Sequence, residues 1–307
     1  MSGIVNIAVI GNNFGAKVHV PAFQSIDNVK IAGIFSRNWE DAINDPNINA
    51  ITIATPPAIA YDIIKSAMQN NKHVFCEKPG VANWAQCLQL KKLLHTSVIH
   101  AIDFEMDEIL IVKHVKQLLQ LKYFGEIKSF DCFWYSSTSN SRNSWKLDVY
   151  QGGGALNNFG SHVFHMLEYI FNDTMNSISG DLLPEIQYNM VVDAEIKFAT
   201  FGGHVVIDAN TDYASYFHLA INCEDGNFIL TNNTNNMSNF TLITKVHSQS
   251  TIVKQGNNID QDGRISLVNH VAKKFIDGIL VNQQVYPNLH DGIRVQFIND
   301  MLLKQIG

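Results

Sequence analysis

The alternation of short apolar runs with helically spaced segments over the first third of the chain constrains its fold more than any other feature. Residues 4–10 form an unbroken apolar run that stops at Gly11, the pattern of a strand covered on both faces. Further strands are expected at 29–35, 50–54, 73–76 and 98–102. Helices are expected to begin at 17–23 and to span 58–69 and 84–94, with one or two helical turns in the short connection 38–46. Strands and helices alternating at this pitch build a parallel, doubly wound sheet.

The pattern changes from residue 107 onward. An amphipathic helix over 109–121 is followed by period-two alternation at 127–135, 187–198, 204–209, 217–223, 227–230 and 239–244, then by helices at 264–280 and 289–303. The fold class read from this is α/β plus α+β: an N-terminal Rossmann-type parallel sheet, then a C-terminal domain with an open, mostly antiparallel sheet. A chain of 307 residues accommodates two such cores, since single cores stop growing near about 250–300 residues. The division is expected at 1–120, a dinucleotide-binding domain, and 121–307, a substrate-binding and oligomerisation domain.

A net charge of -6 leaves no basic footprint for nucleic acid or an anionic membrane. Cys76, Cys87, Cys132 and Cys223 are scattered without a CxxC pair, which fits reduced thiols in a cytoplasm. No apolar run approaches the roughly 18 residues of a membrane span, and Met1 leads into the first strand without a basic region, so neither span nor signal peptide is expected. His100, His114, His204 and His218 are dispersed, and no metal set is expected.

Chemistry concentrates at the strand ends. Gly11-Asn12-Asn13-Phe14-Gly15-Ala16 joins the first strand to a helix, the arrangement that cradles a pyrophosphate on backbone N–H groups. Gly11 and Ala16 fit the first and third places of a dinucleotide fingerprint, while Asn13 holds the second glycine's place. After the second strand stand Ser36 and Arg37 where an acid would grip a ribose hydroxyl. A guanidinium favours a 2'-phosphate, so NADP(H) is expected over NAD(H), with NAD(H) the alternative. Thr55-Pro56-Pro57 ends the third strand beside the fingerprint, and Glu77-Lys78-Pro79 follows the fourth. An ammonium at the carboxyl edge of a parallel sheet sits where such proteins hold ligands. His19 reads as structural or close to a cofactor. Downstream, Arg142, Trp145 and Lys146 precede the triplet Gly152-Gly153-Gly154; they line a substrate pocket or stand in a solvated loop. Helical spacing then sets Asn158, His162 and His165 on one face.

Taken together these stretches resemble the glucose-fructose oxidoreductase / inositol dehydrogenase (Gfo/Idh/MocA) family over nearly the whole chain. Gly11 to Ala22, Ile53 to Pro57, Lys72 to Pro79, Gly152 to His162 and Pro287 to Gln296 carry the likeness in order. The resemblance implies a nicotinamide-dependent oxidoreductase acting on a sugar, cyclitol or sugar-nucleotide alcohol or its ketone. It implies that Lys78 contacts substrate and nicotinamide ribose and that His162 gives or takes the proton. Gly11, Asn13, Phe14, Gly15, Ala16, Ser36, Arg37, Thr55, Pro56, Glu77 and Lys78 are the candidate cofactor residues. Lys78, Trp145, Asn158 and His162 are the candidate substrate residues, and Lys78, His162 and Asn158 the candidate catalytic ones. Asn158 stands where many members carry an aspartate and cannot take a proton; His165 stands where an acid is common. A non-catalytic nucleotide- or sugar-binding regulator and a reductase of a non-sugar substrate are the alternatives. The open sheet leads to the expectation of a homodimer or homotetramer formed through it.

Overall fold

The computed structural model describes residues 3–94, 97–136, 145–183, 191–209, 215–247, 249–254 and 263–306. In its first part, strands β1 (Val5–Ile10), β2 (Val29–Phe35), β3 (Ala50–Ile53), β4 (His73–Glu77) and β5 (His100–Asp103) alternate with helices α1 (Val20–Gln24), α2 (Trp39–Asn44), α3 (Pro57–Gln69) and α4 (Trp84–Lys91). The five strands form one parallel sheet in the order β2-β1-β3-β4-β5. β3 is buried at every position and β1 at all but Asn6, as continuous apolar runs require. The connection between β2 and β3 is as short as expected, and Lys72 pins it by donating to the Asp45 and Ile48 carbonyls (2.7 and 2.8 Å).

The second part opens with α5 (Leu110–Gln120), whose apolar stripe buries Ile111, Val112 and Val115. Strand β6 (Ile127–Tyr135) and helix α6 (Ser161–Phe171) follow, then β7 (Ser177–Leu183), β8 (Val191–Lys197), β9 (Gly202–Asp208), β10 (Tyr216–Cys223), β11 (Asn227–Asn232), β12 (Thr241–Val246) and β13 (Gln249–Lys254). They pair as one eight-stranded sheet, β13-β12-β11-β10-β6-β9-β8-β7, antiparallel except for β6 against β9. β7 and β13 lie outside the expected strands. In β7 the inward place between Ile178 and Leu182 falls to Gly180, which weakens the apolar alternation in the sequence, and β13 presents exposed residues from Gln249 through Val253. The expected strand over 187–198 is seen from Val191, its first four residues lying outside the described ones.

Two helices close the chain, α7 (Arg264–Val281) and α8 (Leu289–Ile306). The two compact units are residues 1–105 with 264–296, and residues 106–263 with 297–307. The sequence reading expects a single division, at 120/121. Helix α7 returns to the first unit because Val268, Val271, Ala272, Phe275 and Ile276 complete a core with Val5, Ile7, Phe23, Phe75 and Ala101. Such an apolar face buries wherever a complementary one is open, whatever its place in the chain.

Candidate active site

In the first unit the sheet changes winding direction at β1 and β3, whose carboxyl ends bracket the site open α/β sheets use for ligands. The Gly11 N–H donates to the Phe35 carbonyl (2.9 Å) and the Ala54 N–H to the Ile10 carbonyl (2.8 Å). Gly11 has φ +131°, and a Cβ there would lie 2.4 Å from the Ala54 oxygen, so the approach of these strand ends requires glycine. Asn12 and Asn13 are exposed. Lys17 N–H reaches back to the Asn13 carbonyl (3.0 Å), and a π-helical turn over Gly15–His19 runs directly into α1. Close helix–strand contact falls on Gly15, where a Cβ would stand 3.0 Å from Val9 Cγ1, while Ala16 is half-buried. Ser36 and Arg37 are exposed at the end of β2, with the Ser36 N–H turned to Asn38 Oδ1 (3.4 Å).

Fit to a nicotinamide dinucleotide can be tested at this edge. Thr55 Oγ1 is buried without a hydrogen-bond partner, which is unusual for a hydroxyl. It lies just beyond β3, where a ribose or amide ligand would supply the missing partner. With the glycine approach at Gly11 and the outward Asn12-Asn13 turn, the residues present fit the group.

One strand further along, β4 delivers Glu77 and Lys78. Lys78 is half-buried and joined to Pro79 by a cis peptide. His19 is fully buried; its Nε2–H donates to Glu77 Oε1 (2.8 Å), and the Thr52 hydroxyl donates to its Nδ1 (2.6 Å). Asp103, the register partner of Glu77 on β5, is also fully buried, with Oδ2 3.9 Å from His19 Nε2. Glu105 follows at 5% exposure. Burial pushes the Glu105 carboxyl up to about 7, helped by the charge of Glu77 and opposed by Lys78 and Arg264. Burial also raises Glu77, but its hydrogen bond with His19 and the charge of Lys78 hold it below the usual carboxylate range. Ligand atoms of His19, Glu77 and Asp103 lie within 4.8 Å of one another, a metal-like spacing not expected from the sequence. Both ring nitrogens of His19 are taken by hydrogen bonds, so the group is a hydrogen-bonded chain.

In the second unit a π-helical turn over Leu156–Gly160 leads into α6. A Cβ at Gly153 would meet the Trp145 carbonyl at 2.2 Å, so the glycine triplet packs on the short helical turn Trp145–Leu147. The Asn158 amide donates to the Lys146 carbonyl. Asn157 accepts from the Asn299 amide (2.9 Å), which anchors the start of the helix. His162 is 7% exposed, with its ring 6.0 Å from that of Trp134. His165 is buried too, and its Nε2–H donates to Asp107 Oδ2 (2.9 Å). Trp145 is half-buried and Lys146 exposed; Arg142 lies outside the described residues. Among the groups without a local motif, Thr52, Asp103, Glu105 and Asp107 join the candidate residues only through the fold.

Residues 35–98 match the model of the oxidoreductase family with an NAD-binding Rossmann fold, and residues 112–229 match the GFO/IDH/MocA C-terminal domain. The chain belongs to the Gfo/Idh/MocA oxidoreductase family. Among curated relatives, it is 29% identical over 190 residues to an uncharacterized oxidoreductase of Synechocystis, covering 54% of this chain and 51% of that one. It is 24% identical over 215 residues to levoglucosan dehydrogenase of Pseudarthrobacter phenanthrenivorans, covering 59% and 55%. The chain thus spans about half the length of the curated relatives it matches. Among solved structures, levoglucosan dehydrogenase in complex with NADH and levoglucosan superposes with a TM-score of 0.87 at 20% identity, covering 99% of this chain and 98% of that one. Aldose-aldose oxidoreductase from Caulobacter crescentus, complexed with glycerol, gives 0.81 at 12% identity and coverage of 96% and 95%. At these identities the superpositions establish the fold.

Proposed function

We propose that this protein is a nicotinamide-dependent oxidoreductase acting on the CH–OH or C=O group of a sugar-like substrate. The observation that carries the reading is the Glu77-Lys78-Pro79 loop at the carboxyl edge of the parallel sheet, in a chain matching both domain models of an oxidoreductase family. A nicotinamide bound at the Gly11 and Thr55 edge would supply the hydride donor or acceptor for the carbinol carbon. Lys78 holds the substrate oxygen, its ammonium stabilising developing alkoxide charge. His162 takes or returns the hydroxyl proton, in the range where imidazole titrates. The exposed Arg37 and Ser36 at the end of β2 support NADP(H) ahead of NAD(H). Trp145 and Asn158 contribute to substrate contact in the same reading.

Fluorescence titration with NADPH and NADH tests the cofactor: both are expected to bind, NADPH tighter, and binding of neither overturns the proposal. Turnover on a panel of sugars and polyols tests the chemistry. His162→Ala is expected to lower it by about 10²–10⁴-fold and Lys78→Ala by about 10²–10³-fold. A second reading, a non-catalytic binding protein of the same fold, is favoured by Asn158, which cannot accept a proton and is engaged with Lys146. It predicts nucleotide binding that survives Lys78→Ala and no turnover of any panel member.

The proposal includes a homodimer or homotetramer formed through the eight-stranded sheet, to be checked by light scattering. It also includes a cytoplasmic setting, supported by four free cysteines. No helix among the described residues is long and apolar enough to cross a membrane.

A further inference from the structure

Three carboxyl groups meet at one edge of the first unit's sheet, and two of them occupy paired positions. Glu77 and Asp103 are register partners on adjacent parallel strands, so their side chains leave the same face of the sheet. Neither oxygen of Asp103 meets a donor. The nearest ring nitrogen, His19 Nε2, stands 3.9 Å away and is already bound to Glu77 at 2.8 Å. A carboxylate buried without a donor costs several kcal/mol on the order given by desolvation of an ion. A carboxylic acid in the same place has a proton to give, and Glu77 is the acceptor beside it.

We propose that Asp103 stands as a carboxylic acid at neutral pH, a positioning residue that donates its proton to Glu77 and fixes Glu77 as the anion serving both His19 and Lys78. Each proton then has an acceptor: Thr52 donates to His19, and His19 and Asp103 donate to Glu77. The other charged or titratable groups facing this cluster are Lys78 on β4, Glu105 beyond β5, Arg264 at the start of α7, and the Cys76 thiol. Burial, the charges of Glu77 and Glu105 and the hydrogen bond to Glu77 all push the Asp103 carboxyl well above its ordinary range, against Lys78. Burial and the Glu77 charge likewise hold Cys76 as a thiol. The functional consequence rests on Lys78 being the substrate anchor. A neutral Asp103 leaves the ammonium facing fewer fixed anions, so its charge is felt at a substrate oxygen.

Infrared spectroscopy of the full chain reads the proton directly, through the C=O stretch of a protonated carboxylic acid. Because Glu105 titrates in the same range, the measurement uses Glu105→Gln as background. One acid band is expected at neutral pH, and it is expected to be absent when Asp103→Asn is added. No band, or a band that survives Asp103→Asn, overturns the proposal. Should the double variant not fold, NMR of isotope-labelled aspartate carboxyls in Glu105→Gln decides instead, with one carboxyl expected to stay protonated at neutral pH. Loss of the band when zinc or manganese is added to chelator-treated protein would make Asp103 a cation ligand and also overturn it. In turnover, Asp103→Ala is expected to cost about tenfold and Asp103→Asn, which keeps a donor, to recover most of the loss. The two readings fail separately. A band without turnover of any substrate overturns the oxidoreductase alone, and turnover without a band overturns the role of Asp103 alone.

Discussion

Asp103 and Asp107 are both buried to 1% exposure or less, yet the two units surround them with opposite partners. Asp103 faces the carboxyl of Glu77 and the nearby Glu105, with Lys78 acting on all three. Asp107 instead accepts from His165 at 2.9 Å, and its charge acts on Lys116, which lies over the Tyr169 ring at 3.7 Å. Burial is equal, so burial does not decide what an acid does. The number of protons and cations within reach decides it. At the sheet edge acids crowd together and one must keep a proton; beside α6 Asp107 has a base and a lysine.

The largest effect that could break this contrast comes from truncating each aspartate. Asp107→Ala leaves His165 buried without its acceptor and is expected to cost about 3–5 kcal/mol of unfolding free energy. Asp103→Ala removes no ion pair, and its expected cost is about 1–2 kcal/mol, mainly the lost hydrogen bond and side-chain volume. Urea unfolding of the two variants beside the wild type measures the difference. Equal costs would overturn the contrast between the two sites.

Glu105 sharpens the contrast through pH. Its carboxyl is pushed from an ordinary 4.5 to about 7 by burial first and the charge of Glu77 second. A folded-state value above the unfolded one means the folded chain holds the proton more tightly. That contribution is fully present below about pH 4.5 and is lost as pH rises to about 7. Glu105→Gln abolishes the loss. The variant is therefore expected to match the wild type near pH 4 and to exceed it by about 3 kcal/mol at pH 8, since each tenfold gain in proton affinity is worth roughly 1.4 kcal/mol. Thermal or urea unfolding across that range checks the sign. A variant advantage that grows toward low pH would overturn the account.

What could be read from the chain follows the same division between local and distant causes. Strands β1 to β4, helices α3 and α5 and the loop at Lys78 carry their own signals, in apolar runs, helical spacing and the Gly and Pro that end them. The return of α7 to the first unit carries none, because an amphipathic face does not name the core it joins. The acid cluster is hidden for a related reason. His19 meets Glu77, and His165 meets Asp107, across 58 residues in each case, and no periodicity links such pairs. Glu77 and Asp103 become neighbours only through the parallel register of β4 and β5. An acid at the end of each of two adjacent strands was the available hint, and it acquires meaning only once the strand order is known.

The smallest effect concerns the far end of the chain of protons. The Thr52 hydroxyl, buried at 0% exposure, donates to His19 Nδ1 at 2.6 Å. Valine has nearly the same shape and suits a strand, so Thr52→Val removes the donor without opening a cavity. The cost is then one hydrogen bond and one unsatisfied ring nitrogen, about 1 kcal/mol. If the hydroxyl also orients the ring, Nε2 loses its fixed direction toward Glu77, and the effect extends beyond stability. Thr52→Val is therefore expected to speed exchange of the His19 Nε2 proton, read by NMR, while costing only about 1 kcal/mol in unfolding. No change in exchange would assign the orientation of His19 to packing. Phe14 and Phe75, whose rings stand 5.5 and 5.4 Å from it at nearly right angles, would then set the imidazole's direction without the hydroxyl.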